Sequence, residues 1–126
     1  MAEPLIQIEG VSKVYRRDSL QIPVLDDINL KVPQGEYLAL MGPSGSGKTT
    51  FLNVAGLLDT FDSGTYHLDG QDVSRLSDAE MSRIRNLKIG FVFQSFNLIP
   101  DLDVFDNIDV PLRYRRLPAK DRKERI

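Results

Sequence analysis

No cysteine occurs in the sequence. That excludes disulfides and thiolate metal sites, although it names no compartment. No run of ~18 apolar residues is present, so nothing in the chain reads as a membrane span. The opening residues, Met1-Ala2-Glu3-Pro4, lack the basic start and apolar stretch of a secretory leader, which predicts a cytosolic chain. Histidine occurs once, as His67. A lone imidazole without partners rarely does chemistry, and its place in a short apolar/polar run reads as surface. Internal repeats and low-complexity segments are absent too. What is present is an ordinary globular composition, 41% hydrophobic and 27% charged over 126 residues. That length suits one domain with a real core.

The net charge of −2 conceals an asymmetry. From Arg113 to Ile126 there are seven Lys/Arg and two Asp/Glu, while the preceding 112 residues carry nine Lys/Arg and sixteen Asp/Glu. A basic tail can meet nucleic acid or anionic lipid. A solvated helix over 118–125 is the preferred reading, because no aromatic residue interleaves with the charges after Tyr114. Pro118 suits its first helical position.

Segment types alternate along the chain. Leu5 to Glu9 alternates apolar and polar residues, as a half-buried strand does. Val11 to Tyr15 reads as a second short strand, and the later half of Val24 to Val32 as another. Pro33-Gln34-Gly35-Glu36 is a turn. Tyr37-Leu38-Ala39-Leu40-Met41 is a continuous apolar run and predicts a strand buried on both faces. A glycine-rich loop follows, then a helical stretch through Leu58. Asp62-Ser63-Gly64 opens a turn, 65–68 suits a strand, and Asp69-Gly70 is a hairpin signal. Ser77-Asp78-Ala79-Glu80 is a capping box. It predicts a helix with Met81, Ile84 and Leu87 on its apolar face. Ile89 to Phe93 predicts a second buried strand. Asp103 to Leu112 has a weak helical pattern with Pro111 near its end. The order predicts a mixed α/β arrangement.

The chemistry lies in Gly42-Pro43-Ser44-Gly45-Ser46-Gly47-Lys48-Thr49, which fits G-x-x-x-x-G-K-[ST] at every fixed position. A chance match in a chain this long arises roughly a few times in a thousand. A triphosphate needs many donors close together, and side chains would crowd that approach. Glycines at 42, 45 and 47 let the backbone wrap the phosphates as a nest of N–H groups. The helix that follows turns its positive end toward the same charge. Lys48 is placed to reach the β- and γ-phosphates, and the Thr49 hydroxyl to bind Mg²⁺. Thr50, next along the first turn, is placed to touch the α-phosphate. An apolar run before the loop and an apolar helix after it are the surroundings the motif requires.

These residues, with three further elements, make the chain similar to the N-terminal half of an ABC-type ATPase domain, over Ile6 to about Leu117. Tyr15, in Gly10-Val11-Ser12-Lys13-Val14-Tyr15, matches the aromatic residue that stacks on adenine in that family. Asp62-Ser63-Gly64-Thr65 with the Asp69-Gly70 hairpin resembles its antiparallel subdomain. Phe91-Val92-Phe93-Gln94 resembles its Q-loop. With Ser95 to Pro100 and Asp106-Asn107-Ile108, the likeness is greatest to the branch serving lipoprotein release and macrolide export. From the residues alone, core packing is the favoured reading of Tyr15, and Gln94 reads equally as a solvated polar group.

The resemblance implies an α/β fold. It would be a P-loop NTPase (RecA-like) core with an ABC-type antiparallel β subdomain, truncated before the signature and Walker B. Residues 1–94 would form the β subdomain and P-loop core, and 94–126 the Q-loop and the start of the helical subdomain. The implied function is that of an ATP-binding subunit of an ABC transporter, coupling ATP binding and hydrolysis to export or release of a substrate. Lys48 and Gln94 would act in catalysis. Thr49 and Gln94 would hold Mg²⁺, and Tyr15 with Gly42 to Thr50 and Gln94 would hold ATP. Implied partners are a second copy of the domain, paired head-to-tail, and an integral membrane permease met through Gln94 to Pro100, with no nucleic acid. The implied location is the cytoplasmic face of the inner membrane. A Leu-Ser-Gly-Gly-Gln-like signature is missing, as is an apolar run ending in Asp before Glu. These 126 residues are therefore expected to bind ATP and turn it over little or not at all. A non-transport ABC ATPase and a truncated nucleotide-binding remnant are the alternatives. A GTPase is disfavoured because Asn-Lys-x-Asp does not occur.

Overall fold

The two apolar/polar runs near the start of the chain join into one long strand rather than two. In the computed structural model, which describes residues 3–126, β1 runs Ile6–Arg17 and folds back through Asp18 and Ser19 onto β2, Leu20–Val32. Asp18 makes that reversal with φ 55°. The chain divides into two units, one running to Met81 and the other spanning Ser82–Ile126.

The first unit is built on a four-stranded antiparallel sheet in the order β2-β1-β3-β4, with β3 at Ser63–Leu68 and β4 at Gln71–Asp72. The β3–β4 turn is Asp69-Gly70, with φ 51° and 78°. Positive φ at both positions is the hairpin geometry that this dipeptide favours. Helix α1, Lys48–Ala55, packs on the sheet. Ile8 faces Tyr66 across the β1–β3 ladder, and both are buried with Val11, Val54, Leu57 and Leu68. The Tyr66 hydroxyl donates to the Ala55 carbonyl at 2.6 Å, tying β3 to the end of α1. Burial pushes the Tyr66 phenol up to about 12. His67, next along β3, pairs with Gln7 and Asp72 and is half-buried.

The β1 ladder is broken by register shifts between Ile8 and Val14. Asp62 closes the gap. Its amide donates to the Ser12 carbonyl, and its carboxylate accepts the Val14 amide at 2.7 Å. Two residues on, Gly64 sits at φ +98°, where an added Cβ would lie 2.4 Å from the Gly10 carbonyl oxygen. Only glycine lets β3 come that close. The Asp-Ser-Gly turn therefore fastens β3 to the bulged part of β1.

Three helix ends differ from expectation for local reasons. Helix α1 stops at Ala55, not Leu58, because Leu57 adopts φ 60°. The Leu58 amide then bonds to the Asn53 carbonyl and the Leu57 amide to the Val54 carbonyl. That is a Schellman closure with a leucine where glycine is usual. Helix α4, Ala119–Arg125, takes Pro118 as its N-cap instead of its first residue. Helix α3, Val104–Tyr114, runs past Pro111. Asp103 caps it, accepting the Asp106 amide at 2.7 Å.

Tyr37–Met41 and Ile89–Phe93 are not strands, which corrects the expectation of two buried strands. Tyr37 is 97% exposed, Met41 88% and Val92 102%. The reason is physical. A strand apolar on both faces is held by neighbours on both edges and by layers above and below. Among the described residues no strand pairs with either segment. The Phe91 and Phe93 rings stack at 5.5 Å, the nearest thing to order in the second run.

Ser77 starts helix α2, Asp78–Lys88, its hydroxyl accepting the Glu80 amide at 3.3 Å. Met81 and Ile84 are buried and Leu87 is exposed. In the second unit, Asn86 donates to the Pro111 carbonyl, and Arg115 donates back to the Asn86 carbonyl at 2.7 Å. Asp109 on α3 is buried and accepts from Arg113 and from Arg122 of α4, each at 2.7 Å. The Arg113 hydrogen bond, with Arg122 beside it, holds the Asp109 carboxyl below the usual carboxylate range against the opposing effect of burial.

Candidate nucleotide-binding site

The glycine-rich loop takes its shape from three contacts. Gly42 faces Ser46, where an added Cβ would lie 2.8 Å from the hydroxyl oxygen. The Ser46 amide donates to the Pro43 carbonyl at 3.2 Å, turning the loop. Gly47 sits at φ +93°, with the Val24 carbonyl of β2 3.0 Å from where a Cβ would stand. The loop is therefore seated on the sheet at the point where it becomes α1.

Helix α1 begins at Lys48 with no side-chain cap and no acidic residue in its first turn. The Phe51 amide makes the first helical bond, to the Gly47 carbonyl at 2.9 Å. The amides of Lys48, Thr49 and Thr50 precede it and have no helical acceptor. This is an anion-binding end, with donors and the helix dipole acting together. The Lys48 ammonium wraps the loop, donating to the Gly42 carbonyl and, at 3.0 Å, to the Pro43 carbonyl. Thr49 is exposed, and its hydroxyl makes no hydrogen bond among the described residues; Thr50 is half-buried. Pro43, Ser44 and Gly45 are exposed along the rim.

Tyr15 lies on β1, opposite Ile22 of β2. Its neighbour Lys13 is opposite Leu25, whose side chain is 3.7 Å from the Cβ position of Gly47. Two strands thus link Tyr15 to the phosphate loop within one unit. Tyr15 is not core: it is 42% exposed. Its hydroxyl donates to Asp59 at 3.3 Å, and the Lys13 ammonium stands 5.2 Å from the ring centroid. Burial pushes the Asp59 carboxyl up, but the Thr60 amide, Lys13 and the Tyr15 hydroxyl outweigh it and hold Asp59 below its ordinary value.

Gln94 belongs to the second unit and is exposed in an irregular segment. The segment that follows it is anchored at Ile99, whose amide and carbonyl both bond to the Asn107 side chain. Asn107 also donates to the Leu102 and Asp103 carbonyls. The structure gathers Tyr15 and Gly42 to Thr50 into one unit and places Gln94 in the other.

Among the described residues no group of three His, Cys, Asp or Glu is placed to hold a metal. Mg²⁺ does not need one, since it keeps several waters and takes few protein oxygens when phosphates share its shell. The uncommitted Thr49 hydroxyl at the helix start fits that role. Sequence reasoning missed Lys13 and Asp59. Lys13 stands two residues before Tyr15 and so shares its side of a strand, which was a usable signal. Asp59, 44 residues away, gave none.

The family model described as ABC transporter matches residues 25–126. The uncharacterized ABC transporter ATP-binding protein YknY of Bacillus subtilis is 46% identical over 121 residues, covering 96% of this chain and 53% of that protein. The macrolide export ATP-binding/permease protein MacB of Syntrophobacter fumaroxidans is 49% identical over 110 residues, covering 87% of this chain and 15% of that protein. Among solved structures, the dimeric post-hydrolysis state of the ATP-binding cassette MJ0796, bound to ADP and Pi, superposes with a TM-score of 0.86 at 39% identity. That match covers 95% of this chain and 53% of the cassette. The chain thus spans about half the length of YknY and of the cassette. A phosphate loop seated on an antiparallel sheet, matched by this family model across most of the chain, shows that the chain belongs to the ABC transporter family.

Proposed function

We propose that this chain binds ATP with Mg²⁺ as part of the ATPase subunit of a transporter. One observation carries the reading. The Gly42–Thr49 loop delivers a lysine and an uncapped helix start to the same place. Lys48 exchanges its loop carbonyls for β- and γ-phosphate oxygens, and the Lys48 to Thr50 amides cradle the phosphates. Thr49 holds Mg²⁺, which supplies charge neutralisation at the β- and γ-phosphates when bound. Tyr15 offers its ring to adenine. Gln94 is assigned to Mg²⁺ and the attacking water by its match to the family's Q-loop.

The subunit as a whole hydrolyses ATP and couples this to export or release of a substrate. The names of YknY and MacB support transport, and that of MacB supports export. The dimeric cassette MJ0796, bound to ADP and Pi, supports nucleotide binding and pairing with a second copy. A membrane permease meets the chain through Gln94 to Pro100, and no helix among the described residues is long and apolar enough to cross a membrane itself. The working location is the cytoplasmic face of that membrane. Residues 1–94 serve as β subdomain and P-loop core, and 94–126 as Q-loop and start of the helical subdomain. Phosphoryl transfer depends on positioning and charge stabilisation, and no apolar run ending in Asp-Glu occurs in these 126 residues. The chain alone therefore binds ATP with little or no turnover.

Calorimetric titration with MgATP tests this. Lys48→Ala should weaken binding by roughly tenfold or more, as expected for losing a charge-assisted contact to phosphate. Unchanged affinity in that variant, or preference for GTP over ATP in competition, refutes the reading.

A further inference from the structure

Lys13 is a buried cation with no part in the phosphate loop. Only 7% of it is exposed. An ammonium taken out of water must be partnered, and such a pair is weak evidence for stability because desolvation offsets the attraction. Its partners are specific. Lys13 pairs with one Asp59 oxygen at 3.1 Å and donates to the Thr60 carbonyl. The same ammonium lies over the Tyr15 ring. The other Asp59 oxygen accepts the Tyr15 hydroxyl. Tyr15 is thus held twice, by a cation at its ring and by a carboxylate at its tip, while 42% of it stays open.

From this geometry we infer that Lys13 and Asp59 are positioning residues for base recognition, fixing the Tyr15 ring so that its open surface receives the adenine of ATP. The inference rests on the reading of Tyr15 as the base-stacking residue. Stacking gains little if the ring must first be immobilised, and a ring already fixed spares that entropy. Asp59 also stands four residues beyond α1, the helix whose other end starts the phosphate cradle. Eight residues of helix span about 12 Å. One rigid element therefore sets the distance between the group that orients the ring and the group that grips the phosphates.

The test compares two probes, ATP and inorganic tripolyphosphate, which has no base. Titrations use the full chain with Mg²⁺ and the variants Lys13→Met, Asp59→Asn, Tyr15→Phe and Tyr15→Ala. Lys13→Met and Asp59→Asn should each weaken ATP about three- to tenfold, the range of an aromatic stacking contact, and leave tripolyphosphate unchanged. Tyr15→Phe should weaken ATP less than Tyr15→Ala, and Asp59→Asn should cost less in the Tyr15→Phe background than alone, because the hydroxyl that Asp59 holds is already gone there. If Tyr15→Ala leaves ATP binding intact, the base-stacking reading fails and this inference falls with it. If Tyr15→Ala weakens ATP while Lys13→Met and Asp59→Asn do not, the inference alone is overturned. Equal losses for both probes in Lys13→Met or Asp59→Asn also overturn it, because they mark a purely structural pair.

Discussion

Replacing Tyr66 by phenylalanine removes one oxygen from the best-buried side chain of the sheet. The ring is fully enclosed, and its hydroxyl donates to the Ala55 carbonyl at the end of α1. Ala55 lies in the last turn, where carbonyls lack helical donors. Phenylalanine keeps the apolar contact and leaves that carbonyl short of a partner, which costs about 1–3 kcal/mol. Tyr66→Ala would cost about 3–5 kcal/mol, since it also empties the ring's volume. The assay is amide hydrogen exchange at Gln7 and His67, opposite each other in the β1–β3 ladder, which reads the free energy of opening that ladder. The hydroxyl should also leave a mark in pH. Its folded value, about 12, lies above the ordinary tyrosine value of 10.0. Tyr66 therefore contributes stability that is complete below pH ~10 and is lost as pH rises toward ~12. Tyr66→Phe should abolish that alkaline loss. Exchange in Tyr66→Phe within about 0.5 kcal/mol of wild type would refute the reasoning, because the hydroxyl would then gain no more from Ala55 than from water.

Two further outcomes follow from the geometry. Gly64→Ala should destabilise the first unit by more than the ~1–2 kcal/mol of a left-handed residue, since its Cβ also meets the Gly10 carbonyl; a denaturant midpoint equal to wild type would contradict this. Asp109→Asn should speed amide exchange in α4 at neutral pH. The Asp109 carboxyl titrates below its ordinary value, so its contribution is present above the ordinary carboxylate range and lost as pH falls through the depressed value. Wild type and variant should therefore converge in acid, and a difference that persisted there would count against the ion pair as the cause.

The phosphate loop was legible because it is local. Its glycines, Lys48 and Thr49 fall within eight residues, and apart from the seat of Gly47 on Val24 the loop's shape follows from φ values and short contacts inside that span. The Asp69-Gly70 hairpin and the Ser77 helix cap were legible for the same reason. The two apolar runs, Tyr37–Met41 and Ile89–Phe93, misled because composition reports what a segment would bury, and pairing requires neighbours that no local pattern reveals. Leu57 misled differently: helix periodicity continues through it, while its backbone has already reversed. Lys13 and Asp59 are joined only by the fold. In a sequence, a lysine before a tyrosine and an aspartate far downstream carry no sign of each other.

The bulge in β1 carries a consequence for insertions and deletions. Before it, the buried residue is even-numbered, Ile8; after it, the buried residues are odd-numbered, Val11 and Lys13. The extra residue near Gly10 reverses the parity of the strand, and Tyr15 inherits the new parity. A strand that ran through Gly10 in simple alternation, without the bulge, would turn Lys13 and Tyr15 to the opposite side of the sheet, away from Asp59 and α1, whereas deleting the extra residue would remove the bulge and leave both on their present side. Adding two residues elsewhere in the strand would preserve the side and change only the reach. The position of one glycine thus acts as a phase mark, deciding on which side of the sheet the strand presents Lys13 and Tyr15.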